Sequence, residues 1–189
     1  IEAYIDNQCA GLKLATGDDV GRVTYRTDGI KDYADHLYES INGDLSGLNV
    51  CIDCANGASA AVARQLFPRL GAKCTFIGVE PDGKNINAGV GSTHLDNLEK
   101  AVIEGGFDCG IAFDGDADRC LACDEKGQEI DGDKVIALLA MNMKEKGCLD
   151  GNTAVVTVMS NLGFIKFMEC QGIHTEKTAV GDRYVLENM

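Results

Sequence analysis

The sequence predicts an α/β protein: a mainly parallel sheet with helices on both faces, followed by a shorter second unit of the same kind. Three observations carry this expectation. Strand-like runs alternate with segments of helical period, the order that builds parallel sheets. The strand runs are short and apolar with little alternation, as expected where helices cover both sheet faces. One full pass of the pattern ends near Asp124, and a second, shorter pass begins near Gly132.

Taken in order, the first eight residues read as the tail of a helix, and residues 11–27, rich in Gly, Asp and Thr, as a linker or ribbon. From Asp28, a candidate cap, the apolar positions Ile30, Tyr33, Ala34, Leu37, Tyr38 and Ile41 recur at helical spacing. LNVCIDCA (48–55) reads as a strand, NGASAAVARQLFPRLG (56–71) as a turn and helix, and AKCTFIGV (72–79) as the next strand. Asn56 and Gly57 mark the turn, and Pro68 tightens or kinks the helix end. After a polar, Gly-rich loop (80–94), Thr93 resembles an N-cap with Asp96 three residues on. The helix LDNLEKAVIEGG (95–106) then leads to the strand FDCGIAF (107–113), the acidic DGDADR (114–119) and the strand-like CLACDE (120–125). In the second pass, helix (132–147), strand (153–160), helix (162–172), short strand (173–180) and a final helical segment (181–189) follow one another. The boundary falls between Asp124 and Asp131. The second unit, having fewer elements, is expected to expose apolar surface.

The 189 residues carry 17 Lys and Arg against 30 Asp and Glu, a formal charge of −13. That balance excludes a binder of nucleic-acid backbone, which needs a basic patch, and equally an anionic membrane surface. No apolar run approaches the roughly 18 residues of a membrane span. The chain opens at Ile1 and ends at Met189 inside a helical segment, which suggests an internal fragment. Nine cysteines, an odd count, favour free thiols in a reducing, cytoplasmic compartment. Cys51/Cys54 and Cys120/Cys123 have C-x-x-C spacing. Both pairs lie in strand-like runs, where residues i and i+3 point to opposite faces, so zinc is disfavoured and buried thiols are expected.

Asp114, Asp116 and Asp118 alternate with Gly115 and Ala117 directly after an apolar strand. Ligands of open α/β sheets bind at the carboxyl ends of strands. Three carboxylates at i, i+2 and i+4 in a loop can converge on a hard cation, and oxygen-only ligation favours Mg²⁺, Mn²⁺ or Ca²⁺ over zinc. An EF-hand is excluded: Arg119 stands at the sixth position, where the tight turn needs Gly, and a strand precedes the loop. Three protein oxygens leave room for water or a substrate phosphate, which suits Mg²⁺, and Arg119 can neutralise that phosphate. A solvated acidic turn is the alternative. His94, near the start of a helix, can bind an anion or cap the turn. Asn161 and the pair Asp182 and Arg183 sit at strand-to-helix junctions, where capping explains them as well as ligand contact does. No phosphate-binding G-x-x-x-x-G-K-[ST] loop and no G-x-G-x-x-G fingerprint occurs.

The segments DCANGA (53–58), PDGKNINAGVGSTHLDNL (81–98), AFDGDADR (112–119), DGD (131–133), TVMSNLGF (157–164) and VGDRYVLENM (180–189) resemble, in this order, the α-D-phosphohexomutases. GSTH, VMSN and GDRYV point to the branch acting on glucosamine phosphates over the phosphoglucomutase/phosphomannomutase branch. The resemblance implies three-layer α/β/α domains with a mixed, mainly parallel sheet. Residues 1–14 would then end an N-terminal domain or linker, 15–124 form domain 2, and 131–189 form the first half of domain 3.

It further implies Mg²⁺ on Asp114, Asp116 and Asp118, a catalytic Arg119, and substrate contacts at Asp182 and Arg183, beside the anion candidate His94. The phosphoserine nucleophile would lie upstream of Ile1, and the sugar- and phosphate-recognition loops beyond Met189. The implied reaction interconverts glucosamine 6-phosphate and glucosamine 1-phosphate through a bisphosphate intermediate. The implied partners are the phosphosugar and that bisphosphate, with a homodimer in the full-length parent. The fragment alone is expected to be inactive. Alternatives are a phosphoglucomutase/phosphomannomutase, or a non-catalytic acidic metal-binding module.

Overall fold

The computed structural model describes residues 2–189. A short helix, α1 (Glu2–Asp6), and one 3-10 turn at Gly17–Asp19 are the only regular elements described before residue 29, and this stretch lies exposed. α2 (Gly29–Ser40) follows. Asp28 does not cap it with its side chain: the Asp28 carboxylate instead accepts from Arg26 Nε at 3.0 Å.

Five strands form the main sheet: β1 (Asn49–Asp53), β2 (Lys73–Ile77), β3 (Cys109–Phe113), β4 (Cys120–Asp124) and β5 (Glu129–Ile130), in the order β2-β1-β3-β4-β5. β1 runs parallel to both β2 and β3, whereas β4 returns antiparallel to β3 and β5 antiparallel to β4. The sheet is therefore mixed.

Alternation along β1 splits the core in two. Val50 and Ile52 join Ala60 and Ala63 of α3 (Ser59–Arg69) on one face, while Cys51 joins Leu98 and Val102 of α4 (Asp96–Gly105) on the other. α2 lies on α3, fastened by Arg69, which pairs with Asp35 at 2.5 Å and stacks over Tyr38 at 4.6 Å. Pro68 occupies the last turn of α3, where little of the helical ladder remains to be broken. Thr93 is not the cap of α4: Leu95 holds that position without a side-chain bond, and the Thr93 hydroxyl meets the His94 ring instead.

In register across the sheet, Gly110 stands between Cys51 and Cys123. A Cβ there would lie 2.7 Å from Cys123 Sγ and 2.8 Å from carbons of Leu98 and Val102, so glycine is what lets α4 seat on the strand.

The second unit comprises α5 (Gly132–Glu145), β6 (Thr153–Thr157), α6 (Leu162–Cys170), β7 (His174–Thr178) and α7 (Asp182–Asn188), with β6 and β7 parallel. Its core gathers Ala140, Ala154, Val156, Phe164, Ile165, Met168 and Ile173. Leu138, Leu139, Met159 and Leu186 are exposed, in keeping with the apolar surface expected of a unit with few elements. Among the described residues no helix is long and apolar enough to cross a membrane.

Candidate metal centre

The hairpin between β3 and β4 creates the centre. Phe113 pairs with Cys120, and the six residues between them close into a loop through the Asp114 N–H to Arg119 carbonyl bond at 3.3 Å. Within it the Ala117 N–H donates to the Asp114 carbonyl at 3.1 Å, and Ala117 adopts a left-handed φ of 64°. That wrap turns the alternating carboxylates inward. Asp114, Asp116 and Asp118 each offer an oxygen, and these atoms lie within 4.8 Å of one another.

The three carboxylates differ in setting. Asp114 is buried, and its Oδ1 accepts the Arg119 N–H at 3.1 Å. Burial pushes the Asp114 carboxyl upward, but the Arg119 amide and guanidinium outweigh it and hold the group below its ordinary range. Asp118 is exposed, and the charges of Asp116 and then Asp114 push its pKa up. The exposed Arg119 guanidinium spans the two, with Nε 3.7 Å from Asp114 Oδ2 and 3.9 Å from Asp118 Oδ1. One firmly held carboxylate, two adjustable ones and an adjacent cation make a set that fits a hard divalent ion together with a phosphate oxygen.

Two neighbouring loops grip the acidic one. Gly57, in the turn after β1, abuts Gly115 so closely that a Cβ would stand 2.3 Å from the Gly115 carbonyl oxygen, which also accepts the Ala58 N–H at 2.9 Å. On its other side Gly115 meets Ile86 and the Asn87 amide. The loop carrying Asn87 is itself tied down: Asn87 N–H donates to the Ala55 carbonyl at 2.9 Å, and Ser92 N–H to the Phe113 carbonyl at 3.0 Å. An apolar cavity of about 350 Å³ opens between α2, α3 and Asp116.

Sequence reasoning did not single out Asp53. It is fully buried at the end of β1, and its carboxylate accepts the N–H groups of Ala55 at 2.9 Å and Gly91 at 2.7 Å. The available signal was a charged residue closing an otherwise apolar strand.

The remaining candidates lie outside the loop between β3 and β4. The His94 ring is exposed and engaged with Thr93. Asp182 opens α7, and Arg183 pairs along that helix with Glu187 at 2.7 Å. Asn161 caps α6, accepting from the Phe164 N–H at 2.8 Å. The C-x-x-C pairs do not converge: Cys51 and Cys54 belong to opposite faces of the sheet, while Cys120 is exposed and Cys123 buried. Burial pushes the Cys51 and Cys123 thiols up to about 11 each, which leaves them unreactive near neutrality.

Comparison with known proteins agrees with the fold. Residues 31–127 match the phosphoglucomutase/phosphomannomutase alpha/beta/alpha domain II, and residues 131–189 match alpha/beta/alpha domain III. The phosphoglucosamine mutase of Clostridium tetani is 52% identical over the whole chain, which covers 42% of that protein. That of Streptomyces griseus is 55% identical over 92% of the chain and 38% of its own length. The chain thus spans about two fifths of the curated relatives it matches. A phosphoglucomutase/phosphomannomutase family protein from Burkholderia thailandensis superimposes with a TM-score of 0.72 over 84% of this chain and 35% of its own, at 22% identity. That likeness speaks to the fold.

Proposed function

The chain belongs to the phosphoglucomutase/phosphomannomutase family, and from that premise we propose that it forms the metal-binding middle of a mutase interconverting glucosamine 6-phosphate and glucosamine 1-phosphate. The observation that carries the reading is the convergence of Asp114, Asp116 and Asp118 beside Arg119 at the carboxyl end of β3. Identity of about half to phosphoglucosamine mutases supports the choice of sugar.

In this reading the three carboxylates hold Mg²⁺. Bound there, the ion polarises the oxygens of the transferring phosphoryl group. The rest is done by the chain. Asp114, held by the Arg119 amide, fixes one ligand direction before any ion arrives. Asp116 and Asp118, both exposed, adjust to the ion and the incoming phosphate. The Arg119 guanidinium faces the same space and balances phosphoryl charge with N–H donors.

The phosphoryl donor is a phosphoserine outside this chain. It passes its phosphoryl group to the free sugar hydroxyl, giving the bisphosphate. The other phosphate then returns to the serine. Without that serine the chain binds metal weakly and turns over no substrate.

Calorimetric titration with Mg²⁺ and Mn²⁺, with Asp116→Asn as control, tests the metal reading, and unchanged binding in the variant would sink it. Glucosamine 6-phosphate with a bisphosphate activator tests the rest. Turnover by the isolated chain above buffer overturns its inactivity. Preference of the full-length parent for glucose or mannose phosphates overturns the choice of sugar.

A further inference from the structure

We propose that Asp53 is a positioning residue for the acidic loop, a role that rests on the metal-binding reading above. A carboxylate with no cation beside it is an expensive group to bury. Asp53 is fully buried and, among the described residues, has no ion-pair partner. What it does have is two backbone donors from different segments. Oδ1 takes the Ala55 N–H at 2.9 Å within the turn after β1, and Oδ2 takes the Gly91 N–H at 2.7 Å, 38 residues along the chain.

The second bond leads directly to the metal loop. The residue after Gly91 is Ser92, whose N–H holds the Phe113 carbonyl at 3.0 Å, and the residue after Phe113 is Asp114. The first bond leads there as well. It shapes the turn whose Gly57 and Ala58 press on and bond Gly115, and whose Ala55 carbonyl takes the Asn87 N–H.

The surroundings are built to admit this carboxylate. A Cβ on Gly78 would stand 2.5 Å from Asp53 Oδ1, and one on Gly91 would stand 2.7 Å from the Phe113 carbonyl oxygen. The 86–94 loop is also held at its exposed side, where the Asn97 amide donates to the Gly89 carbonyl at 2.6 Å, but Asp53 grips it from a buried position. The Ser92 hydroxyl and the Asn87 side-chain Oδ1 are both buried without a hydrogen-bond partner. One buried carboxylate thus locks the two loops that flank Gly115, and through them the direction of Asp114. Groups that orient metal ligands from behind typically change affinity by about 10- to 100-fold when removed.

The test uses the whole chain, Mn²⁺ as probe, free Mn²⁺ read by electron paramagnetic resonance, and amide hydrogen exchange. Asp53→Asn keeps the size and loses one acceptor. It is expected to weaken Mn²⁺ binding about tenfold or more and to speed exchange in residues 86–94 and 113–119, with β6 unaffected. Val102→Ala, which destabilises the same unit from beneath the sheet, is expected to leave Mn²⁺ affinity unchanged. Equal losses in the two variants reduce Asp53 to a structural residue and overturn the proposal. So does an Asp53→Asn chain with unaltered affinity and exchange. Should the Asn variant not fold, Asp53→Ser, which removes the buried charge along with the reach to Gly91, decides by the same criteria. If the unmodified chain binds no Mn²⁺, the metal reading falls by itself. Exchange at residues 113–119 in the Asp53 variants then decides whether Asp53 holds the loop.

Discussion

The chain contains the same strand-helix-strand unit twice, β1-α3-β2 and β6-α6-β7, each parallel and each followed by a further helix. The two copies are buried differently. Four of the five residues of β1 are buried, because α3 covers one face, α4 the other, and β3 occupies the second edge. In β6 buried and half-buried residues alternate, and its second edge bears no strand among the described residues. A cavity of about 530 Å³ opens there, lined by Leu139, Met143, Leu149 and Val155. The comparison teaches what makes a site in this fold. In the first unit the turn after β1 and the loop after β3 lie side by side, touching at Gly57 and Gly115. In the second, the turn after β6 has no such neighbour, and Asn161 there serves as a helix cap and a partner of Asp133. A β-α-β unit supplies one loop, and a third strand supplies the second wall.

The contrast can be broken most directly in the cores. Ile52→Ala, at a fully buried position between two covered faces, is expected to cost about 2–5 kcal/mol toward the top of that range, measured by chemical denaturation. Ile173→Ala in the second core is expected near the bottom of it, because the open side can close over the cavity. Equal losses at the two sites refute the difference in packing.

Next in size is a pair of glycines. Gly110→Ala places a methyl group against Cys123, Leu98 and Val102 and should cost about 1–3 kcal/mol through overpacking. Gly132→Ala meets nothing within 4 Å at the start of α5 and should be neutral or stabilising by up to about 1 kcal/mol. Thermal melts of both variants check this.

Smaller again, Asn161→Ala removes the cap of α6 for about 1 kcal/mol, and amide exchange should quicken in α6 while α3, which has no side-chain cap, stays unchanged.

The smallest effect on stability concerns Asp118. Its pKa in the folded chain is raised by Asp116 and Asp114, so its charge opposes folding above that pKa, and the opposition fades as pH falls through it. Asp118→Asn in chelator should therefore raise the melting temperature slightly. The same shift makes protons compete with metal at a higher pH than for an ordinary carboxylate, so affinity should begin to fall on acidification while Asp114, held low, is still ionised.

Much of this architecture was legible in the sequence for a physical reason. Strands buried on both faces must be apolar throughout, and NVCID and CGIAF are conspicuous against the polar loops. The opposite facing of Cys51 and Cys54 followed from strand alternation, one toward α4 and the other toward α3, whereas the burial expected of both pairs fails at Cys120, which is exposed at the start of β4. Caps were harder to read. Asp28 and Thr93 have the right chemistry, but Arg26 and His94 take their side chains, and no local pattern foretells such a competition. At the site, DGDADR announced itself by spacing. Asp53 did not, because its partners Ala55 and Gly91 are backbone donors, and a backbone N–H leaves no trace in the sequence. Arg183, which VGDRY offers equally as a ligand contact or a cap, pairs with Glu187 one turn on, an exposed contact that leaves its role toward a ligand open to experiment.

The buried thiols have a practical consequence. Cys51, Cys54 and Cys123 are sealed inside the five-stranded unit, Cys74 and Cys109 are half-buried, and Cys9, Cys120, Cys148 and Cys170 lie exposed. An alkylating reagent therefore labels the outer thiols at once, and reaches the inner three only when the sheet opens. Counted by mass, the slow labels form an internal clock for the opening of the metal-bearing half, already wired into the native chain.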